Sequence, residues 1–382
     1  QSRHPAALAS RQHQSGKLEA EPTRWTADQL GQALNDHAPA TLKRGDWLWT
    51  MREGAERDLI EELFAAAPNG ALRPRKVTAA LVASAAAPAE REGRLDVTFA
   101  RQGFRIANIA SADSTAELAA ALGPTLEEYR RDHARYALHV FVPDSARGNE
   151  LSGRAQALRD AFSAGQAAET LEMDDTELRR HGGLIVQVCI CDARTAAIGC
   201  IRADQALSLW PGGRSRMRLG GDFPSRAARK LAEAFAWFGL SPGAGELCVD
   251  LGAAPGGWSW LLLEKKARVI AVDPARMDDA LMRNSRLKHV QGNAFDYFPD
   301  EPADWLFCDM AYRPLEVAAM LGRWARRRQT RLLIANFKLP MKRKVEIVER
   351  LRGLLEESGF VGIRTRQLYH DREEITVAAH VR

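Results

Sequence analysis

Residues Leu247 to Trp258 read L-C-V-D-L-G-A-A-P-G-G-W, and this stretch decides the fold. Leu247 to Leu251 is a short apolar run, which predicts a buried parallel strand. The chain stops at Gly252, turns through Pro255, Gly256 and Gly257, and enters an apolar segment, Trp258 to Leu263, that reads as a helix. A strand, a glycine turn and a helix make the first unit of a nucleotide-binding sheet. Without a Cβ, the turn glycines let backbone approach a ligand closely. The spacing is not G-x-G-x-x-G. Pro255 also removes an amide that a pyrophosphate would use. A ligand without phosphates fits better, and S-adenosyl-L-methionine (AdoMet) is the candidate.

Working outward, each following strand is expected to end in a polar residue. Arg268 to Asp273 ends in an acid about twenty residues after the first strand, a spacing that suits a carboxylate holding ribose hydroxyls. Lys288 to Asn293 ends in an amide that could meet an adenine edge. Asp304 to Met310 carries Asp309, and Arg331 to Lys338 ends in a lysine. The carboxyl ends of parallel strands line the ligand crevice, so Asp273, Asn293, Asp309 and Lys338 are expected to face one cleft. A lysine after L-L-I-A-N-F is drawn toward low dielectric, which disfavours its charge and suits a general base. The competing reading is a solvated lysine that opens the next helix beside Lys342, Arg343 and Lys344. Pro340 separates Lys338 from that helix.

Four segments carry a family resemblance: P-S-R-A-A-R-K-L with Lys230, C-D-M with Asp309, N-F-K-L-P with Lys338, and H-D-R-E-E-I-T-V with Glu374. Together they resemble the Lys-Asp-Lys-Glu signature of the FtsJ-type 2′-O-ribose RNA methyltransferases. Within that family they are most similar to the large-subunit subfamily M, which modifies a cytidine ribose in 23S rRNA. The resemblance is strong from about Arg214 onward. It is fainter through Asp46 to Glu62 and Phe99 to Gln102, and absent from the first forty or so residues. It implies an α/β fold with a class I (Rossmann-like) AdoMet-dependent methyltransferase sheet of seven mostly parallel strands. The last strand, Glu374 to Val381, is expected to be antiparallel because its short link allows no crossover helix. The resemblance also implies roles. Ser225, Gly252, Ala254, Pro255, Gly256, Gly257, Trp258, Asp273, Asn293 and Asp309 would bind AdoMet. Lys338 would take the proton of the ribose 2′-hydroxyl, while Lys230, Asp309 and Glu374 would position that hydroxyl, Asp309 keeping its charge between two lysines. Two positions depart from the family pattern: Ala254 replaces a frequent cysteine and Asn293 a frequent acid.

At 382 residues the chain has room for two or three domains. The division expected is a mobile tail over 1–40, a small α+β ferredoxin-like unit over 41–125, a THUMP-like RNA-binding unit over 126–213, and the methyltransferase unit over 214–382. In the N-terminal half, Asp46 to Met51, Val77 to Ser84, Leu95 to Phe99 and Tyr136 to Val142 read as strands. Gly54 to Ala67 and Leu151 to Ala164 read as helices, and Leu184 to Cys191 with Ala196 to Ile201 as a hairpin. Residues 166–180 are polar and acidic and have no assigned place. The five cysteines lack C-x-x-C pairing and read as buried reduced thiols, not a metal site, which argues for the cytoplasm. No apolar run is long enough to span a bilayer, and Gln1 to Ala20 lacks the apolar core of a secretory signal.

The net charge is +5, a modest nucleic-acid signal. Its distribution says more: Arg214, Arg216 and Arg218, then Arg323 to Arg331, then Lys342 to Lys344, are expected to flank the catalytic edge where RNA would lie. The partner expected is ribosomal RNA of the large subunit, with neither membrane nor metal. A different RNA such as tRNA, a non-catalytic RNA-binding assembly factor and a nicotinamide-dependent oxidoreductase are the alternatives. The last is disfavoured by Pro255 and by the missing G-x-G-x-x-G.

Overall fold

The computed structural model of the protein describes residues 26–34, 42–67, 69–132, 135–164, 171–172, 174–215, 217, 219–220 and 223–382. Eight strands come from the N-terminal half: β1 (Trp47–Thr50), β2 (Arg75–Thr78), β3 (Leu81–Ser84), β4 (Gln102–Ser111), β5 (Arg135–Phe141), β6 (Leu171–Glu172), β7 (Leu184–Ile190) and β8 (Thr195–Arg202). Seven follow: β9 (Leu247–Leu251), β10 (Arg268–Val272), β11 (Leu287–Val290), β12 (Ala303–Cys308), β13 (Thr330–Lys338), β14 (Phe360–Arg366) and β15 (Glu374–Val381).

The C-terminal sheet runs β11-β10-β9-β12-β13-β15-β14. β9, β10, β11, β12 and β13 pair in parallel, and β15 lies antiparallel between β13 and β14. This is the class I methyltransferase arrangement expected from the glycine turn outward. Every residue of β9 is buried, as befits a strand covered on both faces. Helices Ala227–Phe238 and Gly257–Glu264 pack on one face, and Pro314–Arg326 and Lys344–Glu357 on the other. Three expected strands end early: β10 stops at Val272, β11 at Val290 and β12 at Cys308, which leaves Asp273, Asn293 and Asp309 in the loops beyond them.

The N-terminal sheet runs β2-β3-β1-β4-β8-β7-β5-β6. Its centre is the ten-residue β4, which pairs with β1 over 102–105 and with β8 over 105–111. The stretches expected as separate units at 41–125 and 126–213 therefore share one continuous sheet. The expected strand Val77 to Ser84 is two strands joined at Ala79 and Ala80, the latter at φ +61. Leu95 to Phe99 is not a strand but a buried connector, with Val97 and Phe99 in the core. Within the expected tail, Ala27–Leu34 forms a helix that buries Leu30 and Ala33; residues 1–25 and 35–40 lie outside the described residues. In 166–180, Leu171–Glu172 pairs with β5, and Asp174 and Glu177 form a reciprocal capping box for helix Asp175–His181. No helix among the described residues is long and apolar enough to cross a membrane.

The two sheets are joined by a common core. Leu59, Leu63 and Phe99 belong to the same apolar cluster as Val345, Leu351 and Phe360. Polar ties cross the same boundary. Arg352 grips Asp96 through two bonds of 2.6 and 2.8 Å, and Gln367 N donates to the Thr98 carbonyl at 2.7 Å.

Candidate active site

The glycine turn is built for close approach. Gly252 stands at φ +76, and a Cβ there would meet Met310 Cγ at 2.6 Å; one at Gly257 would strike Ser225 Oγ at 2.3 Å. Only glycine leaves this space, and Ser225 and Met310 thereby flank the turn. Asp273, just beyond β10, reaches back: its Oδ2 accepts from Ala254 N at 3.1 Å and its Oδ1 from Ala275 N at 2.7 Å. The Ala254–Pro255 peptide is cis, and the Pro255 carbonyl accepts from Asp278 N at 3.0 Å.

Two expected cofactor residues are placed differently. Trp258 is 2% exposed; its Nε1 donates to the Ala227 carbonyl at 3.0 Å, and its ring meets Phe307 edge-on at 6.2 Å. Its side chain belongs to the core, because a helix covering a parallel sheet must bury its apolar residues. Asn293 is exposed, and its amide serves its own turn, donating to Asp296 Oδ2 at 2.7 Å and accepting from Phe295 N at 3.1 Å. This is an Asx-type use of the amide.

Three of the four expected catalytic residues form an ionic cluster at the carboxyl ends of the strands. Lys230, on helix Ala227–Phe238, donates to Glu374 Oε2 at 2.6 Å and lies 3.9 Å from Asp309 Oδ1. Lys338 closes β13 directly opposite Glu374, which opens β15. Burial works against the charge of Lys230, but Asp309 and Glu374 more than offset it, and the pKa sits above the ordinary lysine value. Asp309 departs from expectation. Burial raises it to about 6, Lys230 opposes that, and Glu374 adds to it. Its charge is therefore held loosely, not locked between cations. Lys338 departs as well: its side chain is exposed and has no hydrogen-bond or ionic partner among the described residues. Lys338 is paired with Glu374 on one edge, but the β12 pairing on the other edge ends at Ala335, so the protein alone does not bury it.

Asp250, Asn336, Thr376 and Glu233 were not singled out from sequence, whereas His370 and Asp371 read there equally as substrate contacts or as ordinary strand-end hydrogen bonding. Asp250 lies within β9 at 1% exposure; its Oδ2 accepts from Ser259 Oγ at 2.7 Å while its Oδ1 has no partner among the described residues. Burial raises it to about 7, against the Ser259 bond. Its signal was visible as an acid inside an otherwise apolar strand. Asn336, Thr376 and Asp371 form a buried chain behind the catalytic cluster, with Thr376 Oγ1 2.8 Å from Asn336 Oδ1 and 3.0 Å from Asp371 Oδ2. Burial holds the Asp371 carboxyl well above its ordinary range. Glu233, one turn beyond Lys230, accepts from Tyr369 N at 2.8 Å, His370 N at 3.0 Å and the His370 ring at 2.7 Å. His370 is thus a structural partner. No local pattern announces these contacts, which depend on which strands meet.

The basic runs divide. Arg326, Arg327, Arg328 and Arg331 precede or begin β13, the end of the sheet away from Lys338, and nine strand residues separate the two ends by roughly 26 Å. Arg326 bonds Ser358, Arg327 stacks on Phe298 at 4.2 Å, and Arg331 pairs with Asp304. This run does not flank the catalytic end, because its position was judged by chain order and not by strand direction. Lys344 is buried between Asp58 and Glu373. Lys342 and Arg343 remain exposed beside Lys338. Arg214 pairs with Asp144 at 3.3 Å, and Arg216 and Arg218 lie outside the described residues.

A glycine cradle that any Cβ would fill, a carboxylate tying down the turn, and an orphaned acid oxygen at Asp250 fit a ligand with hydroxyl and amine donors. An FtsJ-like methyltransferase pattern matches residues 223–333. Three curated relatives bear the name Ribosomal RNA large subunit methyltransferase M. That of Methylococcus capsulatus is 34% identical over 347 residues, covering 85% of this chain and 95% of its own. That of Thauera aminoaromatica is 34% identical over 266 residues, covering 66% and 71%. That of Aromatoleum aromaticum is 40% identical over 195 residues, covering 48% and 53%.

Proposed function

The chain belongs to the ribosomal RNA large subunit methyltransferase M family, and from that premise we propose that it methylates the ribose 2′-hydroxyl of a cytidine in 23S rRNA. It is an FtsJ-like, AdoMet-dependent RNA methyltransferase. The cofactor supplies a methyl group already activated on a sulfonium, so the remaining tasks are alignment and proton removal.

Lys338 takes the proton of the 2′-hydroxyl as the new C–O bond forms and the methyl–sulfur bond breaks. Lys230, held by Glu374 and Asp309, orders the hydroxyl. The observation carrying this reading is the Lys230–Glu374–Asp309 cluster at the strand ends, with Lys338 in register opposite Glu374. A bound RNA strand covers Lys338 and supplies the desolvation that the fold alone does not. Asp273 and the Gly252 to Gly257 turn hold the cofactor, with Ser225 beside them. In-line positioning contributes about 7–11 kcal/mol, and a positioned base roughly a hundred- to ten-thousandfold. The N-terminal sheet, with its THUMP-like part over 126–213, brings the RNA to the catalytic edge, and the cytoplasm is the compartment that suits five unpaired cysteines.

The test is incubation with labelled AdoMet and either unmodified 23S rRNA or assembled large subunits, followed by mapping of alkali-resistant linkages. A single resistant linkage 3′ of a cytidine is expected; label on base atoms, or on tRNA alone, overturns the assignment. Lys338→Ala is expected to abolish transfer while AdoMet binding by calorimetry is retained. Equal loss of both removes Lys338 from the base role.

A further inference from the structure

Arg364 and Arg366 stand two residues apart on β14, so both leave the same face of the sheet. They line a cavity of about 790 Å³ between the two sheets, together with Arg94 and Trp237. Arg366 is 4% exposed. Its Nη1 donates to the Leu207 carbonyl, and its Nη2 is buried with no partner among the described residues. Arg364 reaches only the carbonyls of Phe238 and Trp237, at 3.4 and 3.3 Å, and lies 4.6 Å from the centre of the Trp237 ring.

The acids on the wall are committed elsewhere. Asp96 holds Arg352 through two bonds, Asp204 holds Arg202 through two, and Glu233 holds the main chain of Tyr369 and His370. Burial pushes Arg366 down to about 9, with Arg364 adding to it. Burial likewise pushes Arg364 down to about 10, with Arg94 adding to it. A guanidinium keeps its proton in such places, so these shifts register burial first and the neighbouring cation second, with Asp96 opposing both. Buried charge of one sign calls for a counter-charge, and a planar fork of donors suits phosphate oxygens.

We propose that this cavity is a phosphate-binding subsite, in which Arg94, Arg364 and Arg366 grip one phosphate group beside Trp237. It lies behind the catalytic cluster. Gln367, Leu368 and Tyr369 form part of its wall, and the same loop runs on to Glu374. The phosphate is either that of an RNA strand or a free anion; the first source rests on the RNA reading above, and the second does not.

The test uses the full chain at constant ionic strength, with inorganic phosphate in one arm and a 23S-derived oligoribonucleotide in the other. Arg366 also holds Leu207, so the variants are Arg364→Gln and Arg94→Gln. Saturable binding to the parent is expected, weakened roughly tenfold in each variant, with AdoMet affinity unchanged. Weakening in the oligonucleotide arm alone assigns the site to RNA, and weakening in the phosphate arm alone assigns it to a free anion; either supports the subsite. If neither arm changes, or if potassium chloride at equal ionic strength competes as well as phosphate does, the subsite is refuted. Absence of methyl transfer to any RNA would overturn the functional reading and leave the phosphate arm legible.

Discussion

Two lysines of this protein, Lys230 and Lys344, each sit between two carboxylates, and their roles differ. Lys230 lies 2.6 Å from Glu374 and 3.9 Å from Asp309; Lys344 lies 2.8 Å from Asp58 and 3.0 Å from Glu373. Neighbouring residues serve them. Glu373 and Glu374 open the same strand end, and extended backbone sends successive side chains to opposite faces. One carboxylate turns to the strand-end cleft and the other to the seam between the two sheets. Against burial, Lys344 and Arg52 hold Glu373 below its ordinary value, so that pair is satisfied within the fold, although burial raises Asp58 against Lys344. At Asp309 burial prevails and raises the carboxyl to about 6. The closed pair is a brace, and the open cluster is left with charge that a substrate can engage.

Lys230→Met separates the two roles most sharply. Methyl transfer is expected to fall roughly a thousandfold, the scale for losing a placed electrostatic partner, with AdoMet affinity kept. A loss confined to KM, read from steady-state kinetics, would make Lys230 a binding residue instead. Lys344→Met strips the brace of its cation and leaves Asp58 buried, costing about 3 kcal/mol of stability. Thermal unfolding should show a lower Tm, while turnover of the folded fraction is unchanged. Asp309→Asn is expected to reverse the sign. In the folded state Asp309 takes up a proton between its ordinary 3.8 and about 6, so its contribution to stability falls as pH rises through that window. The amide removes a penalty of roughly 2–3 kcal/mol at neutral pH while transfer is lost; an unchanged Tm at pH 7.5 would contradict the burial argument.

Smaller effects sharpen the same contrast. The wild-type rate should fall as pH drops below about 6, close to tenfold per unit, whereas in the brace Glu373 is held low and burial raises only Asp58. Rate and Tm measured in parallel from pH 5 to 8 would show whether they separate. Arg331→Gln, at the far end of β13, should change stability by about 0.5 kcal/mol or less and leave RNA affinity within twofold. A clear loss of RNA binding there would put the interface on the other end of the sheet.

What could be read in advance was whatever local chain chemistry determines. Leu247 to Trp258 announced strand, turn and helix, and β9 and β15 run between the residues expected. Asp273, Asp309 and Lys338 stood out because each follows or closes an apolar run, and Glu374 through the family resemblance. Misjudged features depended on neighbours distant in the chain. Trp258 faces a core that β12 supplies, and Lys338 is exposed where burial was expected; Asn293 is the exception, its amide used by Phe295 and Asp296 of its own turn. The junction between the two N-terminal units vanished because β4 pairs on both edges, a choice made by register and not by composition.

By itself, then, the sequence determined the strand periodicity, the glycine turn and the kinds of side chain that reach the strand ends, since these follow from backbone freedom and apolar spacing. Tertiary structure alone decided that Glu373 braces while Glu374 serves the cleft, that the long arginine run sits at the wrong end of the sheet for catalysis, and that Arg364 and Arg366 share a cavity whose acids Asp96, Asp204 and Glu233 are bonded to other groups. Those outcomes rest on which surfaces meet and how much water they exclude, and that is set when the two sheets pack together.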